Sequence, residues 1–205
     1  MQLEADPRKR CVTWLLVATI VLVPVLIAAV SPLQASRDVM WIIGGMAGVV
    51  ALALLFIQPV LIGGFMPAMR GIQERRWHRW VGAVVVFLVL LHVAGLYVTS
   101  PEDITDALLL VSPTPFAVYG VIGLAGVVLT ALLAVVRTRL PRIFWRIAHT
   151  VLAVVVVIGS VVHAYLIEGV MGDVSKLILC LSLALATAVV LVRSFVRSPI
   201  DLKRR

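Results

Sequence analysis

The chain has 205 residues, 62% of them hydrophobic and 14% charged, with a formal net charge of +8. A mean hydropathy of +1.12 excludes a water-soluble globular domain. The two cysteines form no CxxC, which excludes a disulfide relay, a thiolate-ligated iron–sulfur cluster and a thiolate zinc site.

Apolar runs of about 18 or more residues read as membrane-spanning helices. Six occur, at about 12–31, 40–62, 80–99, 116–136, 147–167 and 176–194. They predict an all-α, six-helix transmembrane bundle forming one domain over 1–205, with no room for a separate soluble module. The first run follows Arg8-Lys9-Arg10 and precedes Ser31-Pro32-Leu33-Gln34-Ala35, the outline of a secretory signal. Its apolar part, about twenty residues, exceeds the 7–15 of a signal core, so it reads as a retained helix with a kink at Pro24.

Gly44 and Gly48 form a GxxxG in the second run, which Gly63-Gly64 and Pro67 end. Gly120, Gly123 and Gly126 punctuate the fourth, and Pro141 separates it from the fifth. Small residues at such spacing read as close helix contact and identify no ligand. The 99–115 connection contains Pro101, Pro113 and Pro115, and its Ile104, Ala107, Leu108 and Leu109 predict a short amphipathic helix at the outer interface.

The basic residues are not spread evenly. Arg8, Lys9 and Arg10 precede the first run, and Arg70, Arg75, Arg76 and Arg79 lie between the second and third. Arg137, Arg139, Arg142 and Arg146 lie between the fourth and fifth, and Arg193, Arg197, Lys203, Arg204 and Arg205 follow the sixth. The other connections hold only Arg37 and Lys176 among cations, but carry Asp38, Glu102, Asp103, Asp106, Glu168 and Asp173. This positive-inside bias predicts cytoplasmic N- and C-termini in a lipid bilayer and argues against a nucleic-acid partner.

Only four histidines are present, and their spacing repeats: His78 and His92 are 14 residues apart, as are His149 and His163. Fourteen steps of an α-helix return a side chain to within about 40° of its starting direction and advance it by about 21 Å, much of a ~30 Å hydrocarbon layer. With the termini inside, the third and fifth helices run parallel, so His78 comes level with His149 near the inner face and His92 with His163 near the outer. Two imidazoles at each level predict two b-type haems, the inner on His78 and His149 and the outer on His92 and His163. Bis-histidine ligation saturates the iron and favours electron transfer over oxygen binding. Gly82, Val85 and Val89 lie between the first two histidines on one face, and Ala153, Val156 and Ser160 between the others. Arg75, Arg76, Arg79, Arg142 and Arg146 cluster where propionates of the inner haem would emerge, making Arg76, Arg79 and Arg146 candidate cofactor contacts. Zinc does not fit, because histidines about 21 Å apart on one helix cannot share an ion.

Arg76-Trp77-His78-Arg79-Trp80-Val81-Gly82 followed by His92 resembles the third helix of the ferric reductase-like transmembrane domain. Phe144-Trp145-Arg146-Ile147-Ala148-His149 followed by His163 resembles its fifth. That family includes ferric reductases and NADPH oxidase membrane domains, and the resemblance extends to the haem subunit of the bacterial periplasmic methionine sulfoxide reductase. It implies an oxidoreductase component in a bacterial inner (plasma) membrane, passing single electrons from a cytoplasmic-side donor to an outer acceptor. Larger members carry their own flavin- and nicotinamide-binding half. Here no GxGxxG follows a strand, so a separate cytoplasmic flavoprotein, a quinol, or a flavin at the cytoplasmic face is expected to supply the electrons.

Two other classes suit the same features. A quinol-oxidising cytochrome b also carries ligands two per helix. A membrane transporter or haem-sensing scaffold is the non-redox alternative, against which the runs contain almost no ionisable residues besides the histidines.

Overall fold

The computed structural model describes residues 7–69 and 71–202. Arg70, Lys203, Arg204 and Arg205 lie outside those residues, as does the side chain of Arg197. Among the described residues there is no strand. Seven α-helices follow in order: α1 Pro7–Ala29, α2 Val39–Ile62, α3 Gly71–Thr99, α4 Pro101–Leu108, α5 Pro115–Val136, α6 Arg142–Leu166 and α7 Asp173–Leu202. All but α4 are long and apolar enough to cross a membrane, which gives the expected six spans.

Several helices begin before their apolar runs do. α3 opens at Gly71 and α6 at Arg142, so the charged stretches ahead of the apolar runs are helical too. Arginine and glutamate are good helix formers, and Glu74 in the first turn of α3 suits the positive end of the helix dipole. α2 starts where the Asp38 side chain accepts from the Met40 amide at 2.7 Å. It continues through Pro59 and stops at the Gly63 cap. α1 likewise runs on through Pro24, which is buried. The expected short helix is α4, with Pro101 opening it and Glu102 and Asp103 in its first turn.

α2 is the central helix, packed along α3 and also against α1 and α7, while α5 packs along α6 and α6 touches α7. The main apolar core lies on the α1, α2 and α7 side, where Leu52, Phe56, Val60 and Leu61 meet Leu179, Cys180 and Leu183, with Val157 of α6 beside them. Large apolar side chains such as Leu15, Phe87, Leu132, Val135 and Leu181 are exposed, as suits helices whose solvent is lipid. Both cysteines are free thiols, Cys11 exposed and Cys180 buried.

Polar side chains finish the helix ends. Lys176, itself buried, donates to the Ile167 carbonyl just past α6 at 3.1 Å and pairs with Asp173 at 3.2 Å. Arg193 of α7 reaches the Gly63 carbonyl at 3.4 Å and lies 4.5 Å over the Phe65 ring.

Candidate functional site

α3 and α6 carry all four histidines, yet among the described residues these two helices do not pack closely against each other. α3 lies on α2, and α6 on α5. What meets across the space between them is the imidazoles. The ring centres of His78 and His149 are 6.1 Å apart with planes at 81°, and those of His92 and His163 are 6.4 Å apart at 75°. The structure therefore brings together the two pairs expected from the spacing, each on its own level. Val85 on α3 and Val156 on α6 each stand midway in sequence between the two histidines of their helix, and both are buried, an apolar layer between the levels.

The second pair is held by backbone. His92 Nδ1 is 2.8 Å from the Gly44 carbonyl of α2, and His163 Nδ1 is 2.9 Å from the Phe116 carbonyl of α5. A carbonyl only accepts, so each Nδ1 must carry the hydrogen and donate it, leaving Nε2 with its lone pair bare. Each ring also lies on the glycine one turn beyond its acceptor. A Cβ on Gly48 would come 2.7 Å from His92 Nδ1, and a Cβ on Gly120 would come equally close to His163 Nδ1, 2.7 Å. Gly48 and Gly120 are thus seats for the imidazole rings, where the spacing alone suggested only close helix contact. The contact role falls to their neighbours: a Cβ on Gly95 would meet Gly44 Cα at 2.8 Å, and one on Gly159 would meet Gly123 N at 2.8 Å.

The first pair is held differently. Trp145, one turn before His149, stacks on its ring with centres 5.0 Å apart and planes at 15°. Among the described residues, His149 Nδ1 is buried without a hydrogen-bond partner. His78 faces the side-chain amide of Gln58 from α2. Sequence reasoning passed over Gln58, although a lone amide in an apolar run is itself a signal, since an unsatisfied polar group in hydrocarbon is costly.

The candidate arginines stay at the surface. Arg76 and Arg79 are exposed on α3, and Arg146 is exposed on α6. Arg146 lines a shallow cavity with Arg137, Thr138, Leu140, Arg142 and Trp145, so a basic recess adjoins the tryptophan that covers His149.

The donor set selects the kind of metal. Among the described residues no group of three His, Cys, Asp or Glu side chains is placed to hold an ion. Two imidazoles cannot complete a tetrahedral zinc site. A haem, which brings its own ring nitrogens to the iron, would need only such a pair, His78 with His149 at one level and His92 with His163 at the other. The residues present fit haem at both levels.

Residues 44–160 match the family model described as ferric reductase like transmembrane component. No curated protein and no solved structure matches the chain. The matched segment runs from the Gly44 acceptor through His78, His92 and His149 to Ser160, and His163 lies just beyond it. Six apolar helices together with this match make the chain a multi-pass integral membrane protein and a component of a membrane oxidoreductase. With more than half its length matched, the chain belongs to the ferric reductase-like transmembrane component family.

Proposed function

We propose that the protein is a di-haem b-type electron carrier, taking single electrons from a cytoplasmic-side donor and delivering them to an acceptor on the outer face. The observation that carries this reading is the pairing of α3 and α6 imidazoles at 6.1 and 6.4 Å, at two levels on otherwise separate helices. Edge-to-face contact between bare rings falls in the same range, about 4.5–7 Å. The anchoring of the second pair favours ligation. Ring Nδ1–H groups committed to the Gly44 and Phe116 carbonyls leave two bare Nε2 lone pairs, which is how a ligating imidazole is oriented by the shell behind it.

Haem supplies one-electron cycling between Fe(III) and Fe(II) when bound. The chain's own residues do the rest. His78 and His149 would hold the inner group, and His92 and His163 the outer one. Two histidines at each level would leave a haem iron there no open position for oxygen. Val85 and Val156, both buried, set apolar side chains between the levels. Arg76, Arg79 and Arg146 would pair with propionate carboxylates at the basic end. The recess lined by Arg137, Arg142, Trp145 and Arg146 suits the docking of an anionic donor, whether a flavoprotein or a flavin at the membrane face. The positive-inside bias supports a cytoplasmic side for this end and for both termini, and the membrane we assign is a bacterial inner membrane.

The test is a haem-to-protein ratio and a reduced-minus-oxidised spectrum on the full chain purified in detergent. Two b-type, low-spin haems per chain are expected. A chain expressed with ample haem that binds none would overturn the reading.

A further inference from the structure

The two levels differ in what stands behind the rings. At the second, both acceptors are backbone carbonyls, fixed in place by their own helices. At the first, the partner of His78 is the Gln58 side chain, and His149 has none. Gln58 is the only amide or charged side chain in α2, and its contacts all fall on one turn of α3. In the orientation that satisfies its neighbours, its nitrogen donates to the His78 carbonyl at 3.2 Å and to His78 Nδ1 at 2.6 Å. Its oxygen then accepts from the Gly82 amide at 2.9 Å.

That arrangement fixes a tautomer. If the amide donates to Nδ1, the hydrogen of a neutral His78 sits on Nε2, the nitrogen a metal would need. Ligation through Nε2 requires the hydrogen on Nδ1, and the amide must then offer its oxygen. A primary amide can meet either demand of Nδ1 by a half-turn about its last bond, though the turn sets its nitrogen against the Gly82 amide and its oxygen against the His78 carbonyl. A backbone carbonyl meets one only. No water in the hydrocarbon can replace either partner.

We propose that Gln58 is a positioning residue for the first metal site: with a metal on His78 Nε2, its amide oxygen accepts from Nδ1–H. This rests on the di-haem reading. An acceptor behind the ring makes the imidazole a stronger donor to iron and favours Fe(III), so the strength of that acceptor sets the potential of the first haem. Since among the described residues His149 Nδ1 has no partner, Gln58 is the hydrogen-bonding control at this level.

The experiment is a redox titration of the purified full chain carrying Gln58→Leu, Gln58→Asn or Gln58→Glu, repeated with His92→Ala so that only the first haem remains. Leucine removes the acceptor and asparagine withdraws it by one methylene, so both should raise the first midpoint potential. Glutamate strengthens the acceptor and should lower it. The second potential should stay in place, and the low-spin spectrum of the first haem should change while its occupancy holds. A merely structural role would shift both haems, or move the first in the same direction for leucine and glutamate, and either result overturns the proposal. Should the glutamate variant fail to accumulate, unmoved potentials in the leucine and asparagine variants are sufficient to reject it. A wild-type chain without haem rejects the parent reading instead, whereas two haems with unmoved potentials reject this inference alone.

Discussion

His163 Nδ1 stands 2.9 Å from the carbonyl oxygen of Phe116, and the ring rests on the glycine one turn further along α5. α2 repeats the device for His92, with Gly44 as acceptor and Gly48 as seat. In both cases the carbonyl already belongs to its helix ladder and accepts the imidazole on its second lone pair. The absent side chain four residues on is what lets the ring reach it.

Gly48→Ala and Gly120→Ala should therefore each remove the second haem and spare the first. The added Cβ would sit 2.7 Å from a ring nitrogen, and the ring has a carbonyl on one side and its partner imidazole on the other. Haem content should fall from two per chain to about one, read by a pyridine haemochrome assay against protein. Retention of two haems in both variants would show that the rings have other room.

Single histidine replacements should sort by level. His92→Ala or His163→Ala should remove or convert the second haem, and His78→Ala or His149→Ala the first. In each case the surviving haem should keep its low-spin spectrum, since its own two ligands are about 21 Å away along the helices. Two unaltered haems in all four variants would end the assignment.

Gly159→Ala should destabilise the bundle without touching a ring. Its Cβ would lie 2.8 Å from Gly123 N and 3.0 Å from the Tyr119 carbonyl, backbone atoms that move only by parting α5 from α6. Overpacking of this kind costs about 1–3 kcal/mol. Thermal loss of the native haem spectrum should shift to lower temperature, with initial occupancy close to wild type.

Orientation is open to a labelling test. In a chain lacking the exposed Cys11, a cysteine at Ser112 should react with a membrane-impermeant reagent added to whole cells, and one at Thr138 should react only after the membrane is opened. The reverse pattern would put the basic end outside and exchange the inner and outer levels, leaving the pairs themselves intact.

Much of this architecture is legible in the residues alone, because lipid imposes a simple rule. A span must be long, apolar and helical, since no water satisfies its backbone. Six such runs and the 14-residue histidine spacing therefore announce the six spans and the shared histidine faces. Helix starts are less legible. Hydropathy opens the third run near 80, yet α3 begins at Gly71, because backbone hydrogen bonding continues through charged residues that hydropathy scores as loop.

Tertiary structure alone decided what stands behind each ring. A glycine's sequence neighbours do not tell whether its missing side chain admits another backbone, as at Gly95, or an imidazole, as at Gly48 and Gly120. That depends on the rotation and register of one helix against the next, α2 on α3 and α5 on α6. The acceptors themselves are main-chain carbonyls, which every residue carries and no sequence pattern marks. Gln58 differs in being visible as a lone amide, but only the packing of α2 on α3 sets it against His78.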